Sequence, residues 1–169
     1  MVQEFLVCML VPAVLVAAAG WDLASFTIPN FLQVVLVAGF AILALASHMA
    51  LGPLGWHLLA AAIGFAIGFA LFAFNLVGGG DAKLFASVAL WLGFPNVLPY
   101  AVIASLFGGA LTLILLGFRH FPLPALLARH GWLTRLHDPK AGIPYGVALA
   151  SGAFVVLYYS GAFQAGTIG

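Results

Sequence analysis

Charged side chains are scarce in this sequence. Only 5% of its 169 residues are charged and 65% are apolar, whereas soluble globular chains are roughly 25% charged. Such a chain cannot cover a folded surface with polar groups, which excludes a soluble enzyme and a nucleic-acid-binding domain. It also excludes a disordered chain, since disorder requires low hydrophobicity. The sequence therefore predicts a protein whose surface faces lipid.

Cysteine is almost absent as well. Cys8 is the single cysteine, so an internal disulfide is excluded and no cysteine pair is available for zinc. Three of the five histidines lie in one loop, at spacings that do not put two ligands on one helical face. His48 and His57 flank a predicted turn at residues 50–55, where we expect them to meet the lipid headgroups. We predict neither a metal nor a cofactor.

Long runs without charge predict the fold. No charged residue lies between Asp22 and Asp81, between Lys83 and Arg119, or after Lys140. A membrane-spanning helix needs about 20 mostly apolar residues, and Pro, Gly and Asn mark the turns. We therefore predict one all-α, polytopic integral-membrane domain over residues 1–169, with about six transmembrane helices. They are expected near 3–20, 30–49, 56–76, 82–94, 97–118 and 143–163.

The fourth predicted helix, which follows a turn at residues 78–80, is too short to cross ~30 Å of hydrocarbon comfortably. Its start at an aspartate indicates a site that admits water. At the other end of the chain, an acidic start with Glu4 and no basic residue argues against a cleaved signal peptide. We expect the first helix to be retained.

The basic residues predict the orientation. Four of the five lie in one loop, at about 119–142, and cytoplasmic loops carry an excess of Lys and Arg. Placing this loop in the cytoplasm puts Asp22 and Asp81 at the same membrane face and both termini outside. Large aromatic residues near the predicted helix ends are expected to form an interfacial belt: Trp21, Trp56, Trp91, Trp132 and Tyr145.

A pair of glycines in the third predicted helix, Gly64 and Gly68, forms a GxxxG pattern. This pattern indicates close packing against another helix, because small residues let two backbones approach. A groove for an apolar substrate helix is the alternative.

Two aspartates are candidates for chemistry, because a carboxylate near hydrocarbon is costly and therefore functional by default. Asp22 lies at the end of the first predicted helix, and Asp81 begins the fourth. Each could instead reach headgroup water, and Asp81 could cap its helix. Two carboxyls on one face suit aspartic-protease chemistry, in which an ionised carboxylate activates water and a protonated one donates to the scissile carbonyl. Which aspartate has which role stays open.

The three glycines before Asp81 suit such a site, since backbone without side chains lets a substrate approach closely. An ordinary flexible turn is the alternative. Lys83 is expected to anchor the helix at the membrane surface, and an influence on the ionisation of Asp81 is the second possibility.

Three segments carry a family resemblance. The stretch Gly-Gly-Gly-Asp-Ala-Lys-Leu at 78–84 resembles the GxGD-x-K motif of type IV prepilin peptidases. Asp22 followed by Ile-Pro-Asn at 28–30 looks like the first-aspartate segment of that family, and Lys-Ala-Gly-Ile-Pro-Tyr-Gly at 140–146 is similar to the segment that opens its last helix. The length resembles the small form found with tight-adherence (Flp) pilus systems.

The resemblance implies a membrane aspartic endopeptidase of the inner (plasma) membrane, which cleaves the leader of prepilins or pseudopilins at the cytoplasmic face. Asp22 and Asp81 would be catalytic. The implied partners are the prepilin, membrane lipid and pilus-assembly proteins, and no nucleic acid. Larger members add a cysteine-rich zinc domain and methylate the product, so we expect a peptidase without methyltransferase activity here. The implied substrate-binding or site-shaping residues are Gly78, Gly79, Gly80, Lys83, Pro29, Asn30, Pro144 and Tyr145.

Other functions are alternatives. Pro-Ala-Leu at 124–126 echoes a motif of the presenilin and signal-peptide-peptidase group, which shares GxGD. A proton-coupled transporter could use the aspartates as a relay, although a relay needs acids or histidines near the midplane of the membrane. A non-enzymatic assembly scaffold would need neither aspartate.

Overall fold

A computed structural model describes residues 2–124 and 126–160, and every regular element in these ranges is helical. This confirms the predicted all-α class. The first helix passes through a π-helical stretch at Leu6–Leu10. The seven α-helices in these ranges are α1 (Val2–Ser25), α2 (Asn30–Ala46), α3 (Leu51–Ala73), α4 (Gly79–Leu92), α5 (Phe94–His120), α6 (Gly131–His137) and α7 (Tyr145–Tyr159). A short 3₁₀ helix spans Leu127–Arg129.

Three described helices are long and apolar enough to cross a membrane: α1, α3 and α5, with 24, 23 and 27 residues. Helices α2 and α7 are apolar but shorter, and α4 has only 14 residues. The protein is therefore a membrane protein by the length and composition of its helices, while the predicted count of six spans is not confirmed. Residues 161–163 of the last predicted helix lie outside the described residues.

Two predicted turns are wrong: the one at residues 50–55 and the one at 94–96, between the helices expected at 82–94 and 97–118. Helix α3 begins at Leu51, so residues 51–55 form its first turn. Proline is tolerated there because the first N–H groups of a helix have no helical acceptor. Helix α5 begins at Phe94, which leaves Gly93 alone between α4 and α5, with φ 73°. Only glycine adopts this conformation without strain, so a single residue reverses the chain direction.

The short helix α4 is the centre of the molecule. Nine of its residues are buried, and it packs against α2, α3, α5 and α7. Its contact with α3 is close: a Cβ on Gly68 would lie 3.0 Å from the Cα of Ala82, and one on Gly64 would lie 3.1 Å from the Cβ of Ala89. The close packing predicted from the GxxxG pattern is confirmed.

Two side chains expected at the membrane surface are buried instead. The Trp91 side chain is 1% exposed, and its Nε1–H donates to the Leu36 carbonyl over 3.0 Å. His57 is 3% exposed, with Nδ1 2.8 Å from the Leu90 carbonyl oxygen. Both predictions are wrong because the C-terminal end of α4 is enclosed by neighbouring helices. The Leu90 carbonyl lies in the last turn of α4, where carbonyls lack a helical donor, and the His57 ring supplies one.

One end of the helix bundle collects the ends of α1, α3 and α5 and the starts of α2, α4 and α7. The segment between α5 and α7 is held at this end by hydrogen bonds. Arg135 Nη1 donates to the Ser25 carbonyl over 3.4 Å, and Arg119 Nη2 donates to the Gly142 carbonyl over 2.9 Å. The basic segment and both aspartates therefore share one end, as the sequence predicts. We call it the aspartate end.

Candidate active site

Asp22 lies in the last turn of α1 and is 4% exposed. Its Oδ2 accepts a 2.6 Å hydrogen bond from the backbone N–H of Gly146, 124 residues away in the first turn of α7. The first N–H groups of a helix lack internal acceptors and carry the positive end of the helix dipole. The Asp22 carboxyl therefore caps α7 from another helix.

The absence of a side chain at residue 146 makes this contact possible. A Cβ on Gly146 would lie 2.9 Å from Asp22 Oδ2 and 2.8 Å from Ile28 Cδ1. Phe26, with φ 55°, ends α1, and the chain then turns back so that Ile28 reaches this contact. The close approach of α1 and α7 at this point requires glycine.

Asp81 is the third residue of α4. Its Oδ2 accepts a 3.1 Å hydrogen bond from the N–H of Gly78, which is the backward half of a capping box. The helix-cap alternative therefore holds for one carboxyl oxygen. The other oxygen, Oδ1, is buried and has no hydrogen-bond partner among the described residues. A buried acceptor without a structural partner needs another explanation, such as a catalytic role.

The two carboxyl groups lie on segments that pack against the same residue, Ile28. The Ile28 side chain lies between the segments that carry them. A Cβ on Gly80 would be 3.2 Å from Ile28 Cβ, and one on Gly146 would be 2.8 Å from Cδ1 of the same isoleucine. The geometry therefore brings two acids on separate helices together at the aspartate end, an arrangement suited to acid–base chemistry.

A cavity of about 250 Å³ adjoins Asp81, between α3, α4, α5 and α7. Its polar lining comes from Asp81, Ser105 and Tyr145, and the remaining lining is apolar. The Tyr145 ring packs against α5, where a Cβ on Gly108 would lie 2.6 Å from Tyr145 Cε1. The cavity can hold an apolar chain segment beside one carboxyl group.

Lys83 and Asn30 lie elsewhere. Lys83 Nζ donates to Asn30 Oδ1 over 3.0 Å, and both residues line a separate cavity of about 550 Å³ between α2, α3 and α4. Lys83 and Asp81 thus line different cavities. The structure brings Lys83 together with Asn30 and not with the cavity beside Asp81.

The prolines and glycines predicted to shape the site lie at helix starts or in close contacts. Pro29 and Pro144 directly precede α2 and α7, and Pro144 is fully buried. Of the three glycines, Gly78 bonds Asp81 and Gly80 contacts Ile28, while a Cβ on Gly79 would lie 3.4 Å from the Phe72 ring. In the two described ranges, no group of three or more His, Cys, Asp or Glu side chains could hold a metal ion.

Sequence reasoning missed three residues at this site. Gly146 and Ile28 lie within the segments that carry the family resemblance, so the sequence held a signal for both. Tyr100 had none, since it lies inside an apolar predicted span. Its side chain is 0% exposed, and its hydroxyl has no hydrogen-bond partner in the part of the chain that the structure describes. Its ring stacks on Phe85, four residues after Asp81.

Comparison with known proteins identifies the family. The sequence profile of the type IV leader peptidase family matches residues 9–113, which is more than half of the chain and spans the positions of Asp22 and Asp81. No curated protein and no solved structure matches the chain significantly. The resemblance seen in the two aspartate segments is confirmed: this chain belongs to the type IV leader peptidase family.

Proposed function

We propose that this protein is a membrane aspartic endopeptidase that removes the leader peptide of prepilins or pseudopilins, with Asp22 and Asp81 as its catalytic pair. One observation carries the proposal: two buried or half-buried carboxyl groups from different helices lie at one end of the bundle, on segments that pack against the same residue, Ile28. Each accepts a hydrogen bond from a glycine N–H. Family membership supports a leader peptide as the substrate class.

The proposed reaction needs one ionised and one protonated carboxyl. The ionised carboxylate takes a proton from water as the water oxygen attacks the scissile carbonyl carbon, and the protonated carboxyl gives its proton to the carbonyl oxygen. A tetrahedral diol results. The first carboxyl then passes its proton to the leaving nitrogen as the C–N bond breaks. The carbonyl re-forms as the second carboxyl recovers its proton, which restores both groups.

We place the reaction at the cytoplasmic face of the inner membrane. Arginines of the basic segment at 119–142 form hydrogen bonds at the aspartate end. The positive-inside rule favours the cytoplasm for such a segment. Both termini would then face outward. The partners would be a prepilin, surrounding lipid and proteins of pilus assembly, including those of Flp systems.

Leader removal from a co-expressed Flp-type prepilin tests the proposal. We expect Asp22→Asn and Asp81→Asn each to lower the cleavage rate by roughly 1000-fold. Asparagine keeps an oxygen acceptor for the glycine N–H, so the fold should persist. Asp138→Asn is the matched control, because this acid lies in the basic segment and its Oδ1 accepts the Lys140 N–H over 2.8 Å. It should process the prepilin normally.

The alternatives predict different results. If the protein is a transporter or a scaffold, neither substitution should change prepilin processing. Full processing by either active-site variant would therefore overturn the proposal. N-terminal sequencing of the product separates leader removal from presenilin-like cleavage. A cut at the end of the leader supports the proposal, whereas a cut inside the apolar helix of the substrate contradicts it.

A further inference from the structure

Two buried side-chain polar atoms have no hydrogen-bond partner within residues 2–124 and 126–160: Asp81 Oδ1 and the Tyr100 hydroxyl. Leaving a buried polar group unpaired is unfavourable, and a native protein that retains one usually has a use for it. Phenylalanine would fill the same space as Tyr100 without that penalty. The hydroxyl is therefore not explained by packing.

The two unpaired atoms lie in one neighbourhood. The Tyr100 ring stacks on the Phe85 ring, with 4.8 Å between centroids and 12° between planes. Phe85 is four residues after Asp81 in α4, so both project from the same helical face. Side chains on a helix lean toward its N-terminus, which brings the ring stack toward Asp81.

The chemistry of the two atoms is complementary, because a phenolic O–H is a donor and an ionised carboxylate only accepts. We infer that Tyr100 is a positioning residue for Asp81, with its hydroxyl donating to Asp81 Oδ1, directly or through one water, when substrate is bound. The inference rests on the proposed peptidase function. Gly78 would hold Oδ2 from the start of α4 while Tyr100 holds Oδ1 from α5. Two donors on different elements would fix the carboxylate plane.

Tyr100→Phe tests this inference, since it removes the hydroxyl and keeps the stacked ring. We expect kcat for prepilin cleavage by the purified protein in detergent to fall about tenfold, with KM unchanged within about twofold. The melting temperature should stay equal or rise, because an unpaired buried hydroxyl is removed. Tyr158→Phe is the control: Tyr158 is 59% exposed near the end of α7, and all three quantities should stay unchanged.

Three results would overturn the inference. Unchanged kcat in Tyr100→Phe means that the hydroxyl does not act on Asp81. A fall in melting temperature together with activity means that it has a structural role, and a rise in KM alone means that it binds substrate. Asp81→Asn in the same assay separates these outcomes from failure of the proposed function, which would appear as normal cleavage by that variant.

Discussion

Asp22 and Asp81 share one end of the bundle but are held in different ways. Asp22 is almost fully buried, and its donor, Gly146, comes from the last described helix at 2.6 Å. Asp81 is partly exposed, and its donor, Gly78, lies three residues earlier at 3.1 Å. Tertiary packing therefore positions Asp22, whereas the local start of α4 positions Asp81.

This difference predicts how substitutions near each aspartate should affect the protein. The position of Asp22 depends on the packing of α1 against α7 and against the Ile28 side chain between them. A change in that contact should disturb both the fold and the chemistry. Asp81 keeps one oxygen without a partner in the described part of the protein, and its carboxyl can rotate about its own side-chain bonds. A change at its cap should therefore have a smaller effect.

Among changes outside the two aspartates themselves, the largest effect is expected from Gly146→Ala. The added Cβ would lie 2.9 Å from Asp22 Oδ2 and 3.0 Å from Asp22 Cβ, so the carboxyl must move away from the α7 N-terminus. We expect prepilin cleavage to fall by roughly 100-fold. The free energy of unfolding should fall by about 1–3 kcal/mol, as in other overpacked sites. Cleavage kinetics and thermal unfolding in detergent measure the two effects.

Gly142→Ala is the control for this variant, because a Cβ on Gly142 meets no described atom within 4 Å. Its activity and stability should match those of the unmodified protein. Normal cleavage by Gly146→Ala would show that the contact between α1 and α7 does not position Asp22.

A smaller effect is expected from Gly78→Ala. The backbone at Gly78, with φ −71° and ψ 150°, suits any residue, and the only strain is a Cβ placed 2.9 Å from Asp81 Oδ2. Rotation of the carboxyl can relieve it. We expect cleavage to fall roughly tenfold, with a stability change below about 1 kcal/mol, measured in the same two assays.

Gly109→Ala is the matched control, since it adds a methyl group to an exposed site of α5 with no described atom within 4 Å of the new Cβ. If Gly78→Ala were as damaging as Gly146→Ala, the contrast between local and tertiary positioning would be wrong.

The smallest effect is expected from Lys83→Gln. Lys83 bonds Asn30 at an exposed position and lines the cavity that does not contain Asp81. An exposed polar pair contributes roughly 0.2–1 kcal/mol to the free energy of unfolding. Because Lys83 does not line the cavity beside Asp81, we expect kcat to be unchanged and KM to rise by about threefold. Steady-state cleavage kinetics at matched protein levels measure it. A loss of kcat greater than about 100-fold would instead place Lys83 in the chemistry of Asp81.

Much of the fold could be predicted because the membrane restricts the possible structures. A charge-free run in lipid must satisfy its backbone groups internally and therefore forms a helix. Each of the six predicted helices overlaps a described one. The errors lie at helix starts, where proline is as compatible with a first turn as with a loop, and at α4, whose ends were taken for membrane surface. Trp91 and His57 were misplaced for that reason.

The sequence by itself determined the apolar, all-helical class and the family, and it singled out the two aspartates as candidates, because each depends on composition or on a short contiguous pattern. Only the tertiary structure decided which atoms meet. Asp22 accepts a hydrogen bond from Gly146, Ile28 lies between the two aspartate segments, and Tyr100 stacks on Phe85. These contacts join residues far apart in the chain. They depend on which helices become neighbours, and a pattern within one helix does not specify its partner.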